Sequence, residues 1–189
     1  MNRNDARQNV ELMLSDVDGV MTDGGITYGD QGIEIKTLPE LERDPDWKEK
    51  LCNLTNHVAR DMPFPEEPTP VPLDQYESQT LQSPRLIPEL FFVAVDGARF
   101  VGLSNLMSDS ARADLLHTAD TGVHREYRRR GIAVALKVHA LAAARARGDR
   151  EIRTMNETTN HAMLSINDRL GFVRLPAWIG FIRTFEERS

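Results

Sequence analysis

Residues 121–133 read TGVHREYRRRGIA, in which a strand ends, a short basic loop turns and a helix begins at Gly131. The first backbone amides of a helix have no acceptor inside it, and the helix dipole is positive at that end. Gly131 lets the backbone approach a ligand without a Cβ in the way, and the arginines add charge-assisted hydrogen bonds. The stretch therefore predicts an anion site, in particular one for a pyrophosphate.

The residues around this loop predict a mixed sheet with helices on its flanks. Residues 90–95 are strand-like, Asp96-Gly97 predicts a hairpin turn, and 100–106 form the return strand. A further strand over 113–123 leads into the loop, and the helix that follows ends near Gly148. The other predicted elements are a hairpin over 26–37, helices over 44–61, 74–82 and 160–170, a proline-rich extended loop over 63–72, and strands over 10–14, 152–155 and 172–185.

The bulk composition limits the class of protein. The chain has 189 residues, enough for one domain with a full core, and 40% of them are apolar. No apolar run reaches the length of a membrane span, and the polar N-terminus predicts no secretory signal. Cys52 is the single cysteine, which excludes a disulfide framework or a cysteine-based metal site within one chain and suits the cytoplasm. A net charge of −6 argues against a nucleic-acid partner and is compatible with a cationic amine.

The segment Arg128-x-x-Gly131-x-Ala133 resembles the pyrophosphate-binding signature of GNAT acetyltransferases, Arg or Gln followed by x-x-Gly-x-Gly/Ala. The resemblance extends to the order of the neighbouring strands and to the ending NDRLGF at 167–172, and it covers about 33–185. It is greatest to the second half of tandem GNAT proteins such as mycothiol synthase. The resemblance implies an α/β fold of the GNAT acyl-CoA N-acyltransferase type, a mixed, mostly antiparallel sheet flanked by helices, with acetyl-CoA as cosubstrate and no metal.

In this family the strand before the signature splays from its neighbour, so backbone groups near Gly122 and Val123 would bind the pantetheine arm. Main-chain amides of residues 129–133 would hold the pyrophosphate. Asn160 matches a position that often contacts coenzyme A, with a helix N-cap as the equal alternative. The resemblance thus implies these acetyl-CoA-binding residues: Gly122, Val123, Arg128, Arg129, Arg130, Gly131, Ile132, Ala133, Asn160 and Asn167.

The reaction that the resemblance implies is direct attack of a small-molecule or peptide amine on the acetyl carbonyl. Because alkyl amines are mostly protonated at neutral pH, a base would remove a proton, most simply through water. Asp120, His117 and Glu126 lie on or just after the splayed strand and are the candidates, although each could be a solvated surface residue.

The position of the family's usual general acid, a tyrosine, is taken here by Asn167, which cannot donate an acidic proton. Another group must protonate the thiolate, or the thiolate leaves without help, since a thiol with a pKa of about 8.5 is a tolerable leaving group. A coenzyme A-binding regulatory module with little catalysis is therefore the alternative to an N-acetyltransferase.

Residues 16–24, DVDGVMTDG, resemble the first motif of haloacid dehalogenase-type phosphatases, closest to those acting on octulosonate phosphate. In that family the equivalents of Asp16 and Asp18 are the nucleophile and the acid/base, and they help hold magnesium. The later lysine and second acidic pair of such a phosphatase are missing, so a magnesium-dependent phosphatase is disfavoured. We expect an N-terminal segment over 1–32 and the acetyltransferase domain over 33–189.

Two segments bear on the partners of the protein. The loop over 63–72 is expected to border the acceptor pocket, as loops in this region do in the family. Trp178, Ile179 and Phe181 could supply a homodimer contact, but completion of the core is the favoured interpretation.

Overall fold

The computed structural model describes residues 27–28, 32–62, 68–177 and 183. It contains one sheet of six strands, which lie side by side in the order of the sequence. The strands are β1 (Thr27–Tyr28), β2 (Ile33–Thr37), β3 (Leu86–Asp96), β4 (Arg99–Ser108), β5 (Leu115–Val123) and β6 (Glu151–Arg153). All neighbours are antiparallel except β5 and β6, which are parallel. The predicted mixed, mostly antiparallel sheet is thereby confirmed.

Helices connect these strands and cover both faces of the sheet. They are α1 (Leu38–Leu41), α2 (Trp47–Ala59), α3 (Leu73–Tyr76), which continues as a π-helical turn (Glu77–Leu81), α4 (Ile132–Arg147) and α5 (His161–Arg169). No helix in the described ranges is long and apolar enough to cross a membrane. Helix α1 was not predicted, and its start is a capping box, because the Glu40 carboxylate accepts hydrogen bonds from the backbone and hydroxyl of Thr37, both at 2.7 Å.

Several predictions differ from the structure at their boundaries. The helix expected over 44–61 begins only at Trp47, because residues 42–46 form turns that follow α1. The strand expected from residue 172 onward is wrong for 172–177, which do not pair with the sheet. The predicted strand over 10–14, the phosphatase-like pair Asp16 and Asp18, and residues 178–182 of the C-terminal aromatic cluster lie outside the described residues.

The core lies on both faces of the sheet because the central strand β3 is buried on both sides. Successive residues of a strand point to opposite faces. Phe91, Val93 and Val95 pack with α1 and α2 on one face, whereas Phe92 and Ala94 pack with α4 on the other. The continuous apolar run that predicted β3 is thus the signature of a strand covered on both faces.

A β-bulge distorts β5 where it pairs with β4. Leu106 pairs with Thr118 and Ser104 pairs with Thr121, so that Ala119 and Asp120 lie opposite Asn105 alone. Asn105 is fully buried, and its side-chain oxygen accepts a hydrogen bond from the Asp120 amide at 2.8 Å. Bulges of this kind re-aim side chains next to functional sites.

Gly122 of β5 lies directly against Val58 of α2. A Cβ at this position would lie 2.0 Å from Cγ1 of Val58 in α2. The glycine therefore sets how closely α2 packs on β5, a role that its place in the sequence did not reveal.

Gly122→Ala should lower the free energy of unfolding by about 1–3 kcal/mol, because the added methyl overpacks the contact with Val58. Urea unfolding monitored by far-UV circular dichroism measures the loss. In a Val58→Ala background the same change should cost less, giving a coupling of about 0.5 kcal/mol or more. Strictly additive losses would show that α2 does not depend on this contact.

Candidate functional site

The sheet opens between β5 and β6, which supplies the first feature of the site. The parallel ladder pairs Leu115 with Glu151, Leu116 with Ile152 and His117 with Arg153, and within the described chain it ends there. Beyond His117, no described strand pairs with the outer edge of β5. Such an edge presents backbone donors and acceptors to an extended ligand. The predicted residues Gly122 and Val123 lie on it.

The loop between β5 and α4 forms the second feature. After a short 3₁₀ turn (Arg125–Tyr127), the backbone adopts left-handed conformations at Arg129, with φ of 62°, and at Gly131, with φ of 79°. The first hydrogen bond of α4 runs from the Ala135 amide to the Gly131 carbonyl at 3.0 Å. The amides of Ile132 and Ala133 precede it and have no acceptor within the helix.

The space in front of this loop is open. A Cβ at Gly131 would meet no atom within 4 Å, so its left-handed backbone, and not crowding, selects glycine here. An open helix N-terminus with outward-facing amides fits a pyrophosphate. Residues Arg129 to Ala133, which the family resemblance implies as phosphate-binding, form this open start of α4, and their contact with a phosphate stays a prediction.

Arg128, the first residue of the signature, has partners within the protein. Its Nε donates to the Val123 carbonyl at 3.1 Å, and its guanidinium pairs with Asp61 just beyond α2. Arg125 donates from Nε to the same carboxylate at 2.8 and 3.0 Å. These two arginines, Arg125 foremost, lower the pKa of Asp61 to about 2. The Arg128 side chain thus connects the loop between β5 and α4 to the end of α2.

A pair of stacked histidine rings joins α2 to the same loop. His57 of α2 and His124, the residue after β5, stack with ring centroids 3.9 Å apart and an angle of 10° between their planes. Burial is the first cause that lowers the pKa of His57, followed by the charge of His124. Sequence reasoning missed both His57 and Asp61, because nothing in the local pattern indicates which residues α2 places against a loop far along the chain.

Asp120 is the candidate base with the most enclosed carboxyl group. It lies in the bulge on the face covered by α2 and α3, where burial raises its pKa. Tyr76 of α3 is buried close by, and burial together with the Asp120 charge raises the tyrosine pKa as well. The Tyr76 hydroxyl accepts a hydrogen bond from Thr55 at 3.2 Å. A carboxyl group with a raised pKa in such a place has the character of a general base.

The other two candidate bases have partners of their own. His117 lies 2.8 Å from the Asp109 carboxylate, measured from Nε2 to Oδ2. Glu126 is in the exposed 3₁₀ turn and pairs with Arg99 at 2.9 Å. Within the described part of the chain Asp120 forms no such ion pair, whereas His117 and Glu126 each have a charged partner.

Helix α5 carries the two predicted asparagines. Asn160 is its N-cap, with its side-chain oxygen accepting from the Met163 amide at 3.2 Å, so the capping alternative is confirmed and a contact with coenzyme A stays a prediction. Asn167 is buried and donates from Nδ2 to the side-chain oxygen of Asn156 at 2.7 Å. The buried Oδ1 of Asn167 has no partner within the described part of the chain.

Comparison with known proteins agrees with this geometry. Residues 51–172, more than half of the chain, match the model of the acetyltransferase (GNAT) family. A curated relative, N-alpha-acetyltransferase 30 from Schizosaccharomyces pombe, is 38% identical over 89 residues, which are 46% of this chain and 59% of the relative. The aligned region thus spans less than two thirds of that relative's length.

Two solved structures share the fold. The NatC complex bound to Gag peptide and CoA includes a chain with a TM-score of 0.60 and 23% identity, matched over 76% of this chain and 86% of that one. An aminoglycoside acetyltransferase from an uncultured soil metagenomic sample, in complex with trehalose, gives a TM-score of 0.60 at 18% identity, over 83% of this chain and 99% of that one.

Asp61→Asn should lower the free energy of unfolding by about 1–2 kcal/mol at pH 7, a value reduced for the solvent exposure of both arginines. Because the folded pKa of Asp61, about 2, lies below its ordinary value of 3.8, the unfolded chain binds the proton first as the pH falls. The difference from wild type should be complete above about pH 5 and shrink below about pH 4. Urea unfolding at several pH values measures it.

Asp168→Asn is the matched control, because Asp168 pairs with Arg174 at the surface of α5, away from the loop. It should change stability much less than Asp61→Asn. A difference for Asp61→Asn that is absent at pH 7, or that grows towards pH 4, would contradict the assigned role of the Asp61 pair.

Proposed function

Because the chain belongs to the GNAT acetyltransferase family, we propose that it transfers an acetyl group from acetyl-CoA to an amine by direct attack. The observation that carries the proposal is the left-handed turn at Gly131, at which α4 begins beside the edge of β5 that has no partner strand among the described residues. The loop supplies amides for the pyrophosphate, and the strand edge supplies backbone groups for the pantetheine amides. Together they fit two adjoining parts of one long donor.

The acceptor amine approaches from the face of the sheet that α2 and α3 cover. Asp120 lies on this face, where its carboxylate attracts the ammonium form of the acceptor and takes up a proton through water. The neutral amine then attacks the acetyl carbonyl carbon, and the thiolate of coenzyme A leaves. Asn105 holds the Asp120 amide in the bulge and so fixes the position of the base.

We propose the α-amine of a peptide as the acceptor class. Support comes from the curated relative, which is named an N-alpha-acetyltransferase, and from the peptide in the NatC complex. A small-molecule amine is the alternative, since the fold also occurs in an aminoglycoside acetyltransferase. A panel of free-amine peptides, N-blocked lysine peptides and aminoglycosides separates the two classes by initial rate.

The second candidate is a coenzyme A-binding regulatory module with little catalysis. One observation favours it, because Asn167 offers no acidic proton at the end of α5. Donor binding without turnover of any amine in the panel would support the module and overturn the enzyme.

Acetyl-CoA should raise the melting temperature of the wild type. Ligand at about one hundred times its dissociation constant adds about 2.7 kcal/mol to stability, which is a shift of roughly 5–10 °C for a chain of this size. Gly131→Glu should abolish the shift, because a carboxylate and its bulk would occupy the phosphate site. Differential scanning fluorimetry measures both proteins.

Gly148→Glu is the matched control. Gly148 also has a left-handed backbone, with φ of 93°, and open space around it, but it lies at the opposite end of α4. Both variants therefore carry similar backbone strain, and only Gly148→Glu should retain the shift. No shift in folded wild type would exclude the proposed donor site.

Asp120→Asn should lower kcat/KM for the best amine about a hundredfold or more, because the amide cannot accept the proton. In the wild type the rate should rise with pH through the raised pKa of Asp120, and this limb should be missing from the variant. Asp114→Asn, at the exposed turn before β5, is the control and should keep wild-type rates. An unchanged rate for Asp120→Asn would assign the base elsewhere.

A further inference from the structure

Lys137 of α4 is a charged residue whose side chain is buried. It lies in the second turn of α4, between the buried residues Leu136 and Val138, and is itself 3% exposed. Lysines in folded proteins are almost always exposed, or extend their ammonium group to water along the surface. An enclosed lysine therefore requires a specific reason.

No carboxylate neutralises this ammonium among the described residues. The ammonium makes a cation–π contact with Phe172, whose ring centroid lies 5.3 Å from Nζ. Burial alone lowers the pKa of Lys137 to about 8. A buried charge without a counterion is destabilising, so its retention points to a ligand that meets it.

The surroundings place Lys137 near the opening of the sheet. The Phe172 amide donates to the Asn167 carbonyl at 3.0 Å, and Asn167 in turn is bonded to Asn156, which follows β6. The end of α5, the segment after β6 and the second turn of α4 therefore meet at one place. This place holds a buried cation and, at Asn167 Oδ1, a buried acceptor that has no partner in the described ranges.

In the described part of the chain, no other titratable group nearby serves as a counterion for the Lys137 ammonium. His139 of the same helix packs on the Phe92 ring, with 5.8 Å between ring centroids, and burial lowers its pKa, so it is neutral above pH 7. Asp168 is paired with Arg174 at the surface at 2.6 Å. The faces of β3, β4 and β5 against α4 are lined mainly by apolar residues.

We propose that the ammonium of Lys137 donates a proton to the sulfur of coenzyme A as the thiolate leaves, a role that rests on the proposed acetyl transfer. The acceptor nitrogen forms its bond to the acetyl carbon, the carbon–sulfur bond breaks, and its electron pair goes to sulfur. The nitrogen releases its extra proton to water, which leaves a neutral amide. The proton passes from Nζ to sulfur, giving a neutral thiol and a neutral amine. Lys137 regains a proton from water once the thiol departs.

The electrostatics of the site suit this step. A positive charge in a poorly solvated place stabilises the developing thiolate more strongly than it would in water. The pKa of Lys137, about 8, is close to the value of about 8.5 for a thiol, so the proton transfer is nearly balanced in energy. Because the acid must be protonated, the rate should fall as the pH rises above about 8.

A nuclear magnetic resonance titration tests the proposal without turnover. The chain has four lysines, Lys36, Lys48, Lys50 and Lys137, so side-chain spectra of lysine-labelled protein are simple, and Lys137→Met assigns the signal of interest. Lys137 should titrate near pH 8. Coenzyme A should shift the Lys137 signal and its midpoint far more than desulfo-coenzyme A, which lacks the sulfur. Equal effects of the two ligands would overturn the proposal.

Kinetics of matched variants provide the second test. Lys137→Met should lower kcat about ten- to a hundredfold, leave the KM for acetyl-CoA nearly unchanged, and remove the decline in rate at high pH that the wild type shows. Lys137→Arg should not restore the rate, because a guanidinium stays protonated at these pH values. Lys48→Met, at the exposed surface of α2, is the control and should behave as wild type.

The outcomes separate this inference from the proposed function. Full turnover by Lys137→Met, with an unchanged pH profile, would overturn the role of Lys137 and leave acetyl transfer intact. Restoration of the rate by arginine would replace proton donation with charge stabilisation alone. A wild type that binds acetyl-CoA but acetylates no amine would overturn both. Lys137→Met should also melt higher than the wild type, because it removes an unpaired buried charge, so folding does not obscure the result.

Discussion

Among the described residues, strand β5 is hydrogen-bonded along one edge only beyond His117, and the other parts of the site are arranged around the edge that remains. Backbone N–H and C=O groups need partners when they are removed from water. A donor that lies along this edge gains them from the strand, and its phosphates then reach the amides at the start of α4. The parallel pairing with β6 is important because it ends at His117 and leaves the rest of this edge of β5 without a described partner strand.

The edge can form part of a site only because the elements packed around β5 are held in fixed positions relative to it. Gly122 admits α2 close to the strand, Asn105 holds the bulge, and Asp61 ties the end of α2 to the arginines of the loop. These contacts join α2 to β5, β4 to β5, and the end of α2 to the loop that follows β5. Helix α2, strand β5 and the loop before α4 are therefore parts of one packed unit.

Burial acts on two groups of opposite charge, one on each side of the opened strand. On the face of α2 it raises the pKa of Asp120, and on the side of α4 it lowers that of Lys137. Both shifts bring the groups towards neutral pH, where a base can take up a proton and an acid can release one. The arrangement would let the amine lose its proton on one side of the strand while the thiolate gains one on the other.

By itself, the sequence determined the elements whose signals are local: the Asp96-Gly97 hairpin, the central part of strand β3, and the glycine that starts α4 after a basic loop. These depend on spacing and on backbone conformations that few residues adopt. The tertiary structure alone decided that residues 172–177 stay unpaired, that Asp61 meets Arg128, and that Lys137 is enclosed. Helix α1 is different, because the capping box of Thr37 and Glu40 is a local signal that the sequence analysis overlooked. Burial and ion pairing depend on which distant segments pack together, and a pattern along the chain does not specify that.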